Sequence, residues 1–374
     1  METVESLKPG VIKEIYALIE PHAEKSIAYF YGRLFAENPR LRTFFPSSMA
    51  AQRRRMSDAL SQITASSDNP ETFTRLLSRL GREHRKFGIA PAHYDAMGRA
   101  TLATLRAYAG ESWTAEMEAA WTTMFDTAAA IMIQAAEDDA AQAPPWWVGE
   151  VVEHDRRTPD IAVLTVRPNE PLPYRAGQYV SVQTARWPRV WRTYSIANAP
   201  AEDGLLRFHV RALPAGWVSG ALVRHTRAGD ALLLGRASGG MVLDAESGRD
   251  VLCVAGGTGL GPLKALAEEA LRTREDRDVH LLFGARTPAD LYDLRALRAL
   301  AEARPRFHVV PVVSEGPAFG GVRGPVSDVL DRFQDWTGHD VYVAGPPGMV
   351  SRTVMNLQEL GVPTERIHYD PADR

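Results

Sequence analysis

Cysteine is almost absent from this 374-residue chain, which has Cys253 and no other. A single cysteine excludes internal disulfides, iron–sulfur clusters held by cysteines and the covalent haem attachment that needs a CxxCH motif. Long apolar runs are also missing, since none reaches the roughly 18 residues that a membrane-spanning helix requires. The first residues, METVESLKPG, lack the basic start and apolar stretch of a signal peptide. We therefore expect a soluble, cytoplasmic protein.

An excess of positive charge is missing as well. The chain has 43 Lys and Arg against 46 Asp and Glu, which gives a formal net charge of -3. Proteins that bind nucleic acid carry a basic surface, so this balance argues against that class. We expect small molecules as partners and a monomeric protein. The length suffices for two or three domains.

The pattern of apolar residues changes twice along the chain. Residues 1–143 show helical spacing, and Pro144-Pro145 would break any helix that continued past them. Residues 148–248 contain short alternating runs between Gly and Pro turns, which predict a small antiparallel β-barrel. Residues 249–374 alternate strand-like runs with helical stretches, which is typical of an α/β domain with a parallel sheet. The predicted fold class is therefore multidomain: an all-α domain is followed by an antiparallel β-barrel domain and then by an α/β domain with a parallel sheet.

His84 lies on the apolar stripe of the predicted helix ETFTRLLSRLGREHRKFG, four residues after Leu80. Taken alone, this placement fits an ordinary core histidine, whereas the sharper interpretation is a metal ligand aimed into an apolar cavity. Tyr31 and Gln52 fall on the inward faces of two other helices, although Gln52 can equally end its stripe at the surface. A bound haem would use all three side chains. His84 would bind the iron, and the other two would donate hydrogen bonds to oxygen on its far side.

The order FYGRLF…NPRLRTFFP…MAAQRRR…GREHRKFGIAPAHYDAMGRATLATL resembles the globin domain of flavohaemoglobins over residues 10–140. The resemblance implies a haem b site in which Phe45 packs on the haem. It also implies that His84 is the proximal ligand and that Tyr31 and Gln52 lie on the side where gases bind.

A hydrogen-bonded support for His84 is also implied by the resemblance. Tyr94 matches the tyrosine that orients the proximal histidine together with a carboxylate. Counting from Trp121 places that carboxylate at Asp138 or at the neighbouring Glu137. Such a bond makes the imidazole more basic and increases its electron donation to iron.

The segment RTYS, at residues 192–195, resembles the flavin signature of the ferredoxin-reductase-like family. The resemblance implies that Arg192 binds the diphosphate of FAD, that Tyr194 packs on the isoalloxazine and that Ser195 reaches the flavin N5. A fixed guanidinium suits a diphosphate, and a tyrosine suits an aromatic ring with polar edges.

Two further motifs of that family occur in the expected order. PYRAGQYVSV matches the preceding strand and places Tyr179 near the flavin. AGWVSGAL matches a turn that begins at Gly216 and opens a short helix. The backbone amides of Val218 and Ser219 at the start of this helix can hold the diphosphate.

The segment VLCVAGGTGLGPLKAL runs from a buried strand through a glycine-rich turn into a helix. Glycines let the backbone approach a phosphate, and the start of a helix favours its charge. The predicted dinucleotide contacts in this turn are Gly256, Gly257, Thr258, Gly259, Gly261 and Pro262.

A second nucleotide loop is predicted in VYVAGPPGMV, where Gly345 and Pro346 match the family and Ala344 replaces a frequent cysteine. Arg286, after the next strand, can pair with the 2′-phosphate of NADPH or remain a solvated turn charge. The resemblance favours NADH, and NADPH remains the alternative, so we expect NAD(P)H as the cofactor.

The sequence ends in RIHYDPADR, where Asp370 replaces a usual glutamate and Pro371 turns the chain. No aromatic residue follows Tyr369 in this segment. We therefore expect a flavin face that is open to nicotinamide and to O2, with leakage of electrons to O2. The alternative is that Trp191, Tyr194 or Tyr369 covers the ring.

The resemblance implies a nitric oxide dioxygenase in which electrons pass from NAD(P)H to FAD and then to haem, and NO and O2 become nitrate. Flavin is needed because nicotinamide gives two electrons and iron takes one. Two alternatives remain open. One is a haem–flavin reductase or oxidase of another purpose, and the other is an oxygen-storing or sensing globin with its own reductase.

Overall fold

The computed structural model describes residues 7–244, 246–274, 276–317 and 319–370, so Pro371 lies outside the described residues. The chain forms two compact units, Met1–Trp146 and Trp147–Arg374. In the described ranges, no helix combines the length and the apolar character needed to cross a membrane.

The first unit is helical, as the spacing of its apolar residues predicts. Proline in the first turn begins three of its helices, and at one of these starts the side chain of Asn69 also accepts a hydrogen bond from the Thr72 amide at 2.9 Å as a cap. The α-helices of its described part are α1 (Pro9–Ile19), α2 (Ala23–Glu37), α3 (Ala50–Ser66), α4 (Pro70–His84), α5 (Pro91–Ala109) and α6 (Ala115–Ala140).

Helices α4 and α6 approach each other closely at Gly81. A Cβ atom at this position would lie 2.2 Å from the backbone oxygen of Met132, which is far inside van der Waals contact. Only glycine therefore permits this crossing without a shift of one helix. His84 is the last residue of α4, three positions later, so the crossing also sets where its imidazole lies.

The second unit begins with an antiparallel sheet whose strand order is β4-β3-β6-β1-β2-β5. Its two end strands are joined beyond β4, where the amide of Ala197 donates to the carbonyl of Arg207 at 2.8 Å, so the barrel is nearly closed. The short helix α7 (Trp217–Arg224) lies between β5 and β6 in the chain. The strands are β1 (Trp147–Arg156), β2 (Ile161–Pro168), β3 (Tyr179–Thr184), β4 (Arg192–Ser195), β5 (Leu206–Arg211) and β6 (Ala231–Leu234).

A parallel sheet with the order β10-β9-β8-β7-β11-β12 completes this unit. Its elements are β7 (Val251–Gly256), α8 (Leu260–Thr273), β8 (Val279–Ala285), α9 (Leu294–Ala303), β9 (Phe307–Val313), β10 (Val322–Arg323), β11 (Asp340–Ala344), α10 (Pro347–Glu359) and β12 (Ile367–His368). Every residue of β7 is buried, as expected of a strand with helices on both faces. The strand order reverses between β7 and β11, where open sheets of this kind bind ligands.

The predicted fold class is thus confirmed: a helical part, a small antiparallel barrel and a parallel-sheet part follow one another. The boundaries proposed at residues 143, 148 and 248 stay predictions, because the structure divides the chain into two units rather than three.

The crossing at Gly81 yields a stability prediction with a matched control. Gly81→Ala should destabilise the helical unit by about 2 kcal/mol, because the new methyl group overlaps a backbone oxygen. Gly32→Ala, where a Cβ meets nothing within 4 Å, should instead stabilise it by roughly 0.5–1 kcal/mol. Urea unfolding followed by far-ultraviolet circular dichroism measures both. Equal stability of the two variants would contradict the close crossing.

Candidate cofactor sites

His84 is held in one orientation by its own helix. Its Nδ1 donates a hydrogen bond to the backbone oxygen of Leu80 at 2.6 Å, and its Nε2 makes no hydrogen bond to any described residue. Burial lowers the pKa of His84 below its ordinary value, although the bond to Leu80 acts in the opposite direction. A neutral imidazole with Nδ1 protonated and Nε2 free is the form that binds a metal. The His84 side chain is therefore suited to its proposed role as the ligand of the haem iron.

Tyr31 and Gln52 come together from helices α2 and α3. Gln52 Nε2 donates to the hydroxyl oxygen of Tyr31 at 3.2 Å, and the ring of Phe45 meets that of Tyr31 edge to face at 5.5 Å. Burial raises the pKa of Tyr31, so its hydroxyl stays protonated at neutral pH. Because the oxygen accepts from Gln52, the O–H remains available to donate to a ligand.

Within the described residues, no hydrogen bond joins His84 to either of the carboxylates expected beside it. Glu137 and Asp138 are both exposed on α6, and Asp138 accepts a hydrogen bond from the side chain of Gln134 at 2.8 Å. Tyr94 is half-buried on α5, where burial raises its pKa, and no hydrogen bond joins it to His84. The roles of Tyr94, Glu137 and Asp138 in supporting the His84 imidazole therefore stay predictions, since no hydrogen bond among the described residues favours them.

The buried carboxylate near this helix end is Asp139. It forms an ion pair with Arg85, the residue after His84, and Arg85 also donates to the backbone oxygen of Ala143 at 2.8 Å. Sequence reasoning missed this pair. A signal existed, because Asp139 lies 18 residues, or five helical turns, after the buried Trp121 and so continues its stripe.

The predicted flavin residues lie on two paired strands. In the register of β3 and β4, Tyr179 is opposite Ser195 and Val182 is opposite Arg192. Arg192 is exposed and donates through one Nη to the backbone oxygen of Trp191 at 2.8 Å, which leaves its other N–H groups for an anion. Tyr194 is half-buried, and burial raises its pKa.

The beginning of helix α7 provides the second half of the diphosphate site. The Ser219 hydroxyl accepts from the Leu213 amide at 3.1 Å and donates to the Gly216 carbonyl at 3.2 Å, which fixes the turn. A Cβ on Gly216 would lie 2.4 Å from the Ser219 oxygen, so a larger residue there would displace this hydroxyl from the turn. The first helical bond comes from the Gly220 amide at 2.8 Å, so the amides of Val218 and Ser219 have no helical partner. These two amides can therefore donate hydrogen bonds to a phosphate group.

The two predicted nucleotide loops lie side by side. Strands β7 and β11 are parallel neighbours, with Ala255 opposite Ala344. A Cβ on Gly259 would lie 2.3 Å from the Ala344 backbone oxygen, and one on Gly256 would lie 2.4 Å from Met349 Sδ. The glycines thus allow the two loops to pack together at the carboxyl ends of the strands, where Gly257, Thr258, Gly345 and Pro346 also lie.

Three further residues predicted to contact the dinucleotide have other surroundings. Gly261 packs towards the barrel, since a Cβ there would lie 3.3 Å from that of Ala197. Pro262 is buried in the first turn of α8. Arg286 is exposed just after β8 and forms no ion pair within the described residues. Its proposed contact with a 2′-phosphate stays a prediction.

A buried polar network joins the barrel to the parallel sheet, and no sequence motif predicted it. Asp293 is 1% exposed and binds Lys264 at 2.7 Å and Arg157 at 3.3 Å. Beside it, His209 Nδ1 and the Tyr292 hydroxyl are 2.8 Å apart. Burial lowers the pKa of His209 to about 3, so this imidazole is neutral. The network joins the β1–β2 turn and strand β5 of the barrel to helix α8 and the segment before α9 of the parallel-sheet part.

The residues considered as covers for the flavin differ in exposure: Trp191 is buried, Tyr194 half-buried and Tyr369 exposed. Asp370 reaches the barrel. A Cβ on Gly239 would lie 3.3 Å from its carboxylate and 3.0 Å from the Tyr179 ring.

Family models match three consecutive parts of the chain. These are Globin at residues 28–132, the oxidoreductase FAD-binding domain at 149–241 and the oxidoreductase NAD-binding domain at 253–354. The flavohemoprotein of Bordetella pertussis is 28% identical and the match covers 96% of each chain. This chain belongs to the flavohaemoglobin family. Its cofactors are therefore haem, FAD and NAD(P)H, and it is an NAD(P)H oxidoreductase.

A solved structure and a further sequence relative are similar to this chain. The flavohemoglobin of Malassezia yamatoensis, solved with bound FAD and haem, matches 97% of each chain with a TM-score of 0.76 at 20% identity, which shows the shared fold. The reductase part also resembles the electron transfer component XylA of the Pseudomonas putida xylene/toluene monooxygenase. That protein is 37% identical over 59% of this chain and 63% of its own length.

The ion pair beside His84 yields a second stability prediction. Asp139→Asn should cost about 3 kcal/mol, because it leaves the Arg85 guanidinium buried without its countercharge. Asp138→Asn, at an exposed neighbour, should change the stability by less than about 0.5 kcal/mol. Urea midpoints of the two variants compare them directly. A stable Asp139→Asn protein would show that Arg85 reaches solvent.

Proposed function

We propose that this protein is an NAD(P)H-dependent nitric oxide dioxygenase, which consumes NO and O2 and releases nitrate. The family supports an oxidoreductase that passes electrons from NAD(P)H through FAD to haem. The observation that favours the dioxygenase is the Tyr31–Gln52 pair, because it presents a fixed, protonated donor that can polarise O2, the gas that must react with NO, inside an otherwise apolar cluster.

The bound cofactors supply the redox chemistry: flavin divides a two-electron donation into single electrons, and haem iron binds a diatomic gas. The chain itself supplies position and polarity. His84 offers one neutral nitrogen in a fixed tautomer. Gln52 donates to the Tyr31 oxygen, so the Tyr31 proton points away from the amide and is free to donate to a ligand. Aromatic side chains around Tyr31, including Phe35 and Phe45, exclude water there.

On the reductase side, the chain binds and aligns its substrates. The amides at the start of α7 and the Arg192 guanidinium are proposed to hold the FAD diphosphate. The paired loops at the ends of β7 and β11 are proposed to hold NAD(P)H. The buried network around Asp293 keeps these two sites in register.

One observation favours a second candidate, an oxygen-binding globin with its own reductase. His84 donates to a backbone carbonyl rather than to a carboxylate, and a carbonyl makes the imidazole less basic than a carboxylate does. Weaker electron donation suits reversible O2 binding. Repeated turnover of NO distinguishes the two functions, because a protein that only stores O2 does not need to consume NO catalytically.

The test is NO consumption by the full chain with NADH and O2, with nitrate measured as the product. We expect many turnovers per haem, with one nitrate formed for each NO consumed. His84→Ala serves as the control. It should lose the Soret band and NO turnover while retaining flavin and NADH-driven reduction of ferricyanide. A single turnover in the native protein would favour the oxygen-binding alternative, and a normal Soret band in His84→Ala would overturn the assignment of the ligand.

Tyr31→Phe tests the donor on the gas side. Removing the hydroxyl should speed O2 dissociation from the ferrous protein about tenfold, which corresponds to a lost hydrogen bond of roughly 1–2 kcal/mol. Stopped-flow displacement of O2 by CO measures the rate. An unchanged rate would show that the hydroxyl does not face the bound gas.

A further inference from the structure

The helix that carries His84 ends directly at this residue. A short 3-10 turn, Arg85–Phe87, follows α4, and Gly88, with a φ of 74°, then turns the chain away. The ends of helices open more readily than their interiors, because part of their backbone has no helical partner. The bond from His84 to Leu80 lies within α4. It fixes the ring on the helix, but it does not hold the end of the helix against the rest of the unit.

Arg85 attaches this helix end to α6. Its guanidinium forms the ion pair with Asp139 and donates to the backbone oxygen of Ala143 at 2.8 Å. The two acceptors are themselves joined, since the Ala143 amide donates to the backbone oxygen of Asp139 at 3.0 Å. The rigid, planar fork of a guanidinium is suited to such a double contact. One side chain thus holds both the last turn of α6 and the segment just after it.

Burial strengthens the attachment between the two helix ends. The Arg85 side chain is 11% exposed and that of Asp139 is 5% exposed, so salt and water screen their attraction little. If Arg85 moved away from α6, two charges would be left without partners in an apolar environment. A displacement of the end of α4 is therefore opposed far more strongly than an exposed ion pair would oppose it.

His84 lies between two points at which α4 is attached to α6. Gly81 packs against the backbone of Met132, and Arg85 pairs with Asp139. The two positions on α6 are seven residues apart, which corresponds to about 10 Å along the helix axis. A helix that is held at one point can pivot about it, whereas a helix that is held at two points cannot. The second attachment therefore restrains the end of α4 that bears the imidazole.

We propose that Arg85 and Asp139 are positioning residues that keep His84 on the haem iron while a gas binds on the opposite side. The proposal rests on the proposed role of His84 as the iron ligand. The restraint matters most for NO, because NO on ferrous haem weakens the bond between the iron and the ligand opposite to it. Without the pair, the imidazole withdraws from the iron more often.

The experiment uses the full chain with haem reduced and saturated with NO in the absence of O2. Electron paramagnetic resonance distinguishes haem that keeps its histidine, with nine hyperfine lines, from haem that has lost it, with three. The double variant Arg85→Leu with Asp139→Leu removes both charges and retains apolar bulk, a replacement that often preserves stability. We expect its ratio of histidine-free to histidine-bound haem to rise about tenfold or more, as the loss of a charge-assisted hydrogen bond implies.

Two control variants distinguish positioning from general stability. Glu71→Gln breaks the exposed ion pair with Arg75 on the same helix, so the spectrum should remain native. Ile12→Ala removes buried apolar surface from the same unit and should lower the urea midpoint. Because Ile12→Ala leaves the Arg85–Asp139 pair in place, its spectrum should also remain native.

A double variant with the native spectrum would overturn the proposal, as would an Ile12→Ala protein that loses its histidine-bound signal to the same extent. His84→Ala provides the spectrum of fully histidine-free haem. If His84→Ala kept the nine-line signal, the assignment of the ligand would fail and this proposal with it. The measurement requires neither NADH nor O2, so its outcome is separate from the proposed dioxygenase turnover.

Discussion

The close crossing of helices α4 and α6 at Gly81 is the constraint on which the helical unit depends. With no side chain between the helices, α4 is pressed against the Met132 backbone, and its last residue, His84, is placed by that contact. The bond from His84 to Leu80 then fixes the ring, and burial keeps it neutral. A proposed iron ligand thus owes its position to backbone packing and its neutral form to desolvation.

The same constraint recurs in the second unit. Gly256 and Gly259 let the ends of strands β7 and β11 meet at the point where the strand order reverses, which is where open sheets of this kind bind ligands. The barrel meets this sheet through Gly261 and through the buried charges around Asp293, which hold both parts in register. Electron transfer from nicotinamide to flavin depends on that register, because the two rings must lie close together.

Short-range patterns predicted much of this arrangement, because periodicity reports which face of a helix is buried and glycine reports where the backbone is crowded. Tyr31 and Gln52 were both expected to face inwards, and they share a hydrogen bond. The buried Asp139, which pairs with Arg85, was missed because counting along the chain selected the exposed Glu137 and Asp138, whereas helical spacing from Trp121 leads to Asp139. The stacked side chains of Trp187 and Trp217 join a hairpin to a helix 30 residues later, and no local pattern encodes such a contact.

The central claim is that electrons pass from NAD(P)H to the flavin and only then to haem. Anaerobic stopped-flow mixing of the oxidised, fully loaded protein with NADH tests this order directly, since the flavin and Soret absorbances are separate. The account predicts that the flavin band bleaches first and that the Soret band then shifts to its ferrous position, at a rate that disappears when flavin is removed. Rapid bleaching of the flavin with an unchanged Soret band, or haem reduction by NADH in flavin-free protein, would contradict it.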